Sequence, residues 1–274
     1  MSRIKLVAFD LDNTLLDKDK KISSENLEAL KYAKSKGIYI VPTTGRLFDN
    51  IPQELKDLCR YFILVNGAFI YDYQTDTNSD FALIPKDLAL EILSYGDTLP
   101  CIYDSYIEYH GYMSASQYEM LFDYMPDHNY AVTMKAKRSP VPDLKGYILE
   151  GSRDVQKIQY YFQDLEERER QIAALGEKFP GLLYISTSLQ SNIEINIADA
   201  IKGNAIRRLC AKLGLSTDEV AGFGDGTNDL SLIKEAGTGV CMSNGAAECL
   251  ACADIITEYD CNHSGFAREL LKLI

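Results

Sequence analysis

Asp10 and Asp12 lie two positions apart in the run Asp10-Leu11-Asp12-Asn13-Thr14, directly after an apolar stretch at residues 4–9. Carboxylates this close repel, so a proton or a cation must neutralise one of them. Either answer is chemistry: acid–base work or metal binding. A D-x-D at a strand end is also a common turn, and alone it decides little. The second constellation, Gly222-Phe223-Gly224-Asp225-Gly226-Thr227-Asn228-Asp229, follows the apolar Val220-Ala221. Its glycines free the backbone to approach a ligand, while Asp225, Asn228 and Asp229 offer the hard oxygens that Mg²⁺ prefers. The phosphate-cradling pattern G-x-G-x-x-G fails, because Thr227 stands where its last glycine belongs. The bland alternative is a turn feeding a helix, with Asp229 as a dipole partner near its N-terminus.

Two further pieces gain meaning in combination. Thr43-Thr44-Gly45-Arg46 offers a hydroxyl, backbone N–H groups and a guanidinium, all suited to phosphate oxygens. Lys202-Gly203 sets a point charge at the start of a helix. Taken singly, Lys202 reads as a solvated lysine and Thr44 as an N-cap. Their order along the chain, each after its own strand, ties them to the two acidic runs.

The elements that must position these residues alternate. Residues 4–9 read as a buried strand, 24–36 as a helix with Leu27, Leu30 and Ala33 on one face, 38–41 as a strand, 52–59 as a helix and 62–65 as a strand. The rhythm returns with a helix from 201 to 213, a strand at 220–223, a helix at 229–235 and a strand at 239–242. Alternation of this kind predicts an α/β core: a Rossmann-like, doubly wound parallel sheet covered by helices on both faces. In such sheets, residues just past the carboxyl ends of the strands line the ligand crevice.

The middle of the chain differs. It is rich in tyrosine (Tyr103, Tyr106, Tyr109, Tyr112, Tyr118, Tyr124), has a proline-broken stretch at 138–142, and carries a helical repeat of Leu165, Ile172 and Phe179 over 164–179 flanked by strands at 155–162 and 182–185. The expected organisation is a core of residues 1–81 plus 189–274 with an α+β domain, 82–188, inserted into it. Lys135, Lys137 and Arg138 form the insert's most basic cluster; a solvated surface is the plainer reading, an anion-binding patch the sharper one.

With a net charge of -12 and a pI near 4.8, the chain is a poor candidate for binding nucleic acid or an anionic membrane surface. Small phosphates stay open, because a cation or a few converging donors set the local field. The basic, partly apolar start is interrupted by Asp10 and Asp12, so neither a signal peptide nor a membrane span is expected. Seven cysteines, an odd count, suit reduced thiols in a cytoplasmic setting. Cys249-x-x-Cys252 with Cys261, His263 and the nearby Cys241 has spacing that could hold zinc. On a helix beside Ala246, Ala247, Ala251 and Ala253, however, these cysteines pass as small apolar residues.

Together the motifs resemble those of haloacid dehalogenase (HAD) superfamily phosphatases: DxDx(T/V), a Ser/Thr, a Lys and GDxxxD. The branch they look most like is the Cof-type, sugar-phosphatase-like group, with GDGxND at 224–229, an NGA turn at Asn66-Gly67-Ala68 and a large α/β cap inserted in the core. Departures are Asn13 for the usual glycine, Pro42-Thr43 before Thr44, and Cys241-Met242-Ser243-Asn244 where AMGNA is common. Asn13 tolerates the left-handed backbone a glycine would supply.

The resemblance implies a Mg²⁺-dependent hydrolysis of small phosphorylated metabolites, with Asp10 as nucleophile and Asp12 as acid and base, the latter needing a raised pKa. It further implies that Asp12, Thr44, Gly45, Lys202 and Asn228 contact the phosphorylated substrate, that Asp10, Asp225 and the Asp12 carbonyl hold the metal, and that Asp229, Asn66 and Arg46 support them. A phosphomutase of the same superfamily, or a phospho-receiver-like regulator, is the rival reading. The substrate is left open, because the cap is what selects it.

Overall fold

The computed structural model describes residues 4–125, 128–151 and 153–274; the basic start at 1–3 lies outside them. It comprises two compact units, Met1–Phe81 with Ala200–Ile274, and Ala82–Asp199.

The first unit is built on a five-stranded parallel sheet in the order Ile255–Ile256, Thr238–Cys241, Val220–Gly224, Leu6–Phe9, Tyr39–Pro42. Leu6–Phe9 reads LVAF and is buried throughout, as a strand covered on both faces must be. Leu6 and Ala8 face Ile206 and Leu209 of the helix Lys202–Leu213 and Leu232 of the helix Leu230–Glu235. Phe9 points the other way, its ring 5.3 Å from Phe266 on the helix Gly265–Leu273, and Phe266 in turn lies 4.8 Å from Phe223. From Leu6–Phe9 the sheet runs to Tyr39–Pro42 on one side and Val220–Gly224 on the other. That reversal makes a switch point at the carboxyl end of the central strand, where Asp10 begins.

The expected strand at 62–65 exists as Tyr61–Leu64, but it belongs to a separate three-stranded antiparallel sheet with Phe69–Asp72 and Thr77–Phe81. The cause is local: Val65, Asn66 and Gly67 have φ of 51°, 59° and 102°, and this left-handed run turns the chain straight back on itself. The two sheets stay linked where the Thr44 N–H donates to the Ile63 carbonyl at 2.9 Å.

The second unit is a six-stranded sheet in the order Leu183–Ser186, Asn192–Ile197, Lys157–Phe162, Cys101–Ile107, His110–Ser114, Arg138–Val141, antiparallel except for the last pair. It reaches Asp199 rather than 188, because Asn192–Ile197 pairs with strands on both sides within this sheet. One sheet face packs Tyr103, Ile158, Tyr160, Ile193 and Ile195 into the main apolar cluster of this unit. The other face buries charge in pairs: Arg138 with Asp104, and Lys157 with Glu194 at 3.0 Å. Arg138 is therefore an interior residue and not part of a solvated basic cluster; the strand through Pro140 sits at the sheet edge, where a missing N–H is harmless. Lys137 is exposed, and Lys135 is half-buried, paired with Glu119 over the Tyr118 ring. The helix expected at 164–179 is Leu165–Lys178, capped by the Asp164 carboxylate; Leu175 and Arg168 are its buried residues, while Leu165 is exposed. No helix among the described residues is long and apolar enough to cross a membrane.

Candidate active site

Asp10 leaves the central strand with its N–H on the Phe223 carbonyl at 2.9 Å, which seats its side chain at the switch point. Lys202, the first residue of its helix, is fully buried and stretches its Nζ to Asp10 Oδ1 at 2.6 Å and Asp229 Oδ1 at 2.5 Å. A buried ammonium survives only if paired and hydrogen-bonded. Here burial opposes its charge, but the two carboxylates more than offset this and hold its pKa above the ordinary lysine value.

Asp229 turns its other oxygen back on its own loop, where Oδ2 accepts the N–H groups of Asp225 and Gly226, both at 2.9 Å. This is why position 224 is a glycine: a Cβ there would come within 2.3 Å of the Asp229 Cβ. The folded-back loop presents Asp225, whose Oδ1 accepts the Thr14 hydroxyl at 2.8 Å. One carboxylate oxygen from each of Asp10, Asp225 and Asp229 lies within 4.8 Å of the others, the one such group among the described residues.

The electrostatics ask for a cation. Burial, reinforced by Asp229, pushes the Asp225 carboxyl up to about 7. Burial also raises Asp10 well above its ordinary value; Lys202 opposes that rise, and Asp229, Asp225 and Asp12 add to it. Both Asp229 oxygens are already engaged by Lys202 and the loop, so Asp10 and Asp225 are the residues with an oxygen left over. Hard oxygens on two converging, crowded carboxylates fit a divalent cation of the Mg²⁺ kind.

Thr44 is buried at the end of the Tyr39–Pro42 strand, and its carbonyl accepts the Asn66 N–H at 3.0 Å. The Asn66 side chain closes over Gly45, where an added Cβ would sit 3.0 Å from Asn66 Oδ1, and that same oxygen accepts Asn228 Nδ2 at 3.3 Å. The left-handed turn at 65–67 thus links the Thr44-Gly45 segment to the acidic loop. Residues from five separate stretches of chain meet at one sheet end.

A family model described as haloacid dehalogenase-like hydrolase matches residues 7–270. The chain belongs to that family. It is 30% identical over 263 residues to the 5-amino-6-(5-phospho-D-ribitylamino)uracil phosphatase YcsE of Bacillus subtilis, covering 93% of this chain and 90% of that protein. It is 24% identical over 266 residues to the pyridoxal phosphate phosphatase YbhA of Escherichia coli, covering 92% of each. The solved structure of a haloacid dehalogenase-like hydrolase from B. subtilis superposes with a TM-score of 0.83 at 25% identity, covering 99% of this chain and 100% of that one. The enzyme class is accordingly that of a phosphatase.

In this hydrolase, Asp12 departs from expectation. Its carboxylate is held by Arg46 Nε at 2.8 Å and Nη2 at 2.6 Å, and by Lys20 Nζ at 2.7 Å. Burial raises its pKa, but the Arg46 hydrogen bonds and charge, followed by those of Lys20, prevail and lower it to about 2. The raised pKa expected from the Asp10 neighbour is absent, because two cations return to Asp12 from elsewhere in the chain. Arg46, offered above as a phosphate ligand, instead clamps Asp12 and ties it to the Asn50 carbonyl at 3.0 Å.

Two residues with roles in this arrangement escaped the sequence reading. Thr14 was visible as the last position of the first motif, and its hydroxyl could have been assigned to the acidic loop. Lys20 carries no signal; it is one lysine in the charged turn 17–21. The zinc alternative finds no support in geometry: Cys249 Sγ lies on the Gly226 carbonyl at 2.9 Å, Cys252 Sγ on the Cys249 carbonyl at 3.5 Å, and His263 on Asp260 at 2.6 Å.

Proposed function

We propose that this hydrolase cleaves phosphomonoesters of small metabolites by way of an aspartyl-phosphate on Asp10, with Mg²⁺ as cofactor. The observation that carries the reading is the Asp10–Lys202–Asp229 chain beside Asp225: a nucleophile-type carboxylate hydrogen-bonded to a fixed cation, with an oxygen of a second acidic ligand within 4.8 Å.

One carboxylate oxygen of Asp10 would attack phosphorus while the other faces the cation, splitting one difficult displacement into two easier ones. Lys202 opposes the pull of burial toward protonated Asp10 and would screen it from an incoming phosphate dianion. Thr44, the Gly45 backbone, Lys202 and Asn228 would hold the transferring oxygens, the geometry being what phosphoryl transfer chiefly needs. Asp10, Asp225 and the Asp12 carbonyl would hold Mg²⁺, which supplies charge neutralisation between carboxylates and phosphate when bound.

Asp12 would give a proton to the leaving alkoxide and later take one from the hydrolytic water. As the Arg46-bound carboxylate it is prepared for the second task. The first requires that its grip on Arg46 loosen so that it can carry a proton. Asp229 and Asn66 would act as positioning residues, through Lys202 and Asn228.

The substrate class is a small phosphorylated metabolite, as in the names of YcsE and YbhA. The test is hydrolysis of a panel of sugar, polyol, nucleotide and pyridoxal phosphates with Mg²⁺, read as phosphate release. Transfer of phosphate between substrates without net release would point to a mutase and sink the reading.

A further inference from the structure

Asn244 takes no part in the chemistry above, yet it stands between the two acidic loops. Its Nδ2 donates to the Asn13 carbonyl at 2.9 Å, and its Oδ1 accepts the Cys261 N–H at 3.0 Å. Two residues further on, the Ala246 N–H donates to the Asp225 carbonyl at 2.8 Å. The turn that carries Asn244 is closed by the Gly245 N–H on the Met242 carbonyl, also at 2.8 Å. One short turn therefore grips residue 13 with a side chain and residue 225 with its backbone.

Thr14 lies between those grips. Asn13 before it is left-handed at φ 59°, and the N–H groups of Thr14, Leu15 and Leu16 converge on the Leu11 carbonyl at 3.4, 3.1 and 2.8 Å. The carbonyls on either side of Thr14 are both taken by asparagines from elsewhere in the chain. Asn244 holds that of Asn13, and the buried Asn26 holds that of Leu15 through Nδ2 at 2.8 Å. Asn26 Oδ1 accepts the Ala267 N–H at 3.1 Å, so this second strut is itself braced. A β-branched side chain is stiff at χ1, so a fixed backbone goes far to fix the Thr14 hydroxyl. That hydroxyl, fully buried, donates to Asp225 Oδ1 at 2.8 Å.

We propose that Asn244 is a positioning residue for the cation site: through the Asn13 carbonyl it holds Thr14, and Thr14 aims the Asp225 carboxylate. This role presupposes Asp225 as a Mg²⁺ ligand, as read above. Partners behind a metal ligand orient it before the ion arrives, and their loss weakens binding by roughly 10–100-fold. Asn244 acts at one remove further and from an exposed position, so its own effect is smaller and its replacement leaves the core intact.

The experiment follows thermal melts of the metal-stripped, full-length protein at pH 8 over a Mg²⁺ series, beside p-nitrophenyl phosphate hydrolysis over the same series. An ion that binds the folded state raises the melting temperature once its concentration passes Kd, so the onset of the rise reads affinity. Asn244→Ala should move that onset, and the Mg²⁺ needed for half-maximal hydrolysis, upward by about threefold, the scale of one neutral hydrogen bond. Thr14→Val, which keeps the shape and removes the donor, should move both by about tenfold, and Thr14→Ser should stay near the unmutated values. The double variant should match Thr14→Val alone, whereas independent effects would multiply to about thirtyfold. A lower metal-free melting temperature with an unchanged Mg²⁺ response in Asn244→Ala makes the residue a loop staple and overturns the proposal, as does the multiplied effect. Should Thr14→Val not fold, the Mg²⁺ response of Asn244→Ala decides alone. Unmutated protein whose melts and turnover both ignore Mg²⁺ sinks the cation reading itself, and this role with it.

Discussion

Arg46 grips Asp12 through two parallel hydrogen bonds, Nε to Oδ2 at 2.8 Å and Nη2 to Oδ1 at 2.6 Å. Bidentate guanidinium–carboxylate pairs fix direction as well as charge. The carboxylate expected to shuttle protons is therefore parked, ionised and aimed at a cation. Because its folded pKa lies near 2, below the ordinary 3.8, the pair stabilises the fold above pH 4 and loses that contribution as pH falls toward 2. Replacing Arg46 with Ala should flatten the acid limb of the stability curve between pH 4 and 2. Denaturant titrations across that range check it; an unchanged limb would mean the pair contributes nothing in solution.

Lys202 is the structural hinge of the site as well as its fixed charge. Lys202→Ala leaves Asp10 and Asp229 buried together without their shared cation, and loss of one member of a buried ion pair costs roughly 3–5 kcal/mol. Chemical denaturation should show a midpoint well below the unmutated protein's, with hydrolysis abolished. A variant of normal stability and lost activity would confine Lys202 to chemistry.

Asp10→Asn keeps the shape and a hydrogen-bond acceptor for Lys202 but removes the attacking charge. Turnover of p-nitrophenyl phosphate should fall by at least about a thousandfold, the scale expected when an essential nucleophile is lost. The melting temperature should stay within a few degrees. Retention of the unmutated rate would remove Asp10 from the nucleophile's place.

Asp225 makes metal-free protein sensitive to alkali. Its folded pKa is raised from 3.8 to about 7, so its ionisation is disfavoured in the fold and stability declines as pH rises from about 4 through 7. Thermal melts in EDTA should fall by several degrees between pH 5 and 8, and Mg²⁺ should restore more at pH 8 than at pH 5. Activity should vanish in EDTA and return with Mg²⁺. A melting temperature indifferent to Mg²⁺ at pH 8 would show that Asp10 and Asp225 do not form the cation site.

Much of this hydrolase was legible before any coordinates. Four-residue apolar runs such as LVAF announce buried parallel strands, and the chemistry-bearing residues follow directly on strands or open helices, where local spacing suffices to place them. Asp10, Lys202, Asp225 and Asp229 were named on that basis and do converge. What remained hidden depends on chain returning from far away. Residues 62–65 looked like one more parallel strand; the Asn66-Gly67 turn after them was visible, but not that it folds Phe69–Asp72 back as their antiparallel partner. Asn192–Ile197 reads equally well in either unit, since strand propensity carries no partner; only hydrogen bonds to Leu183–Ser186 and Lys157–Phe162 assign it. The protonation state of Asp12 was misjudged for the same reason. A pKa reflects every charge within a few ångströms, and Arg46 and Lys20 reach Asp12 across folded space, not along the chain.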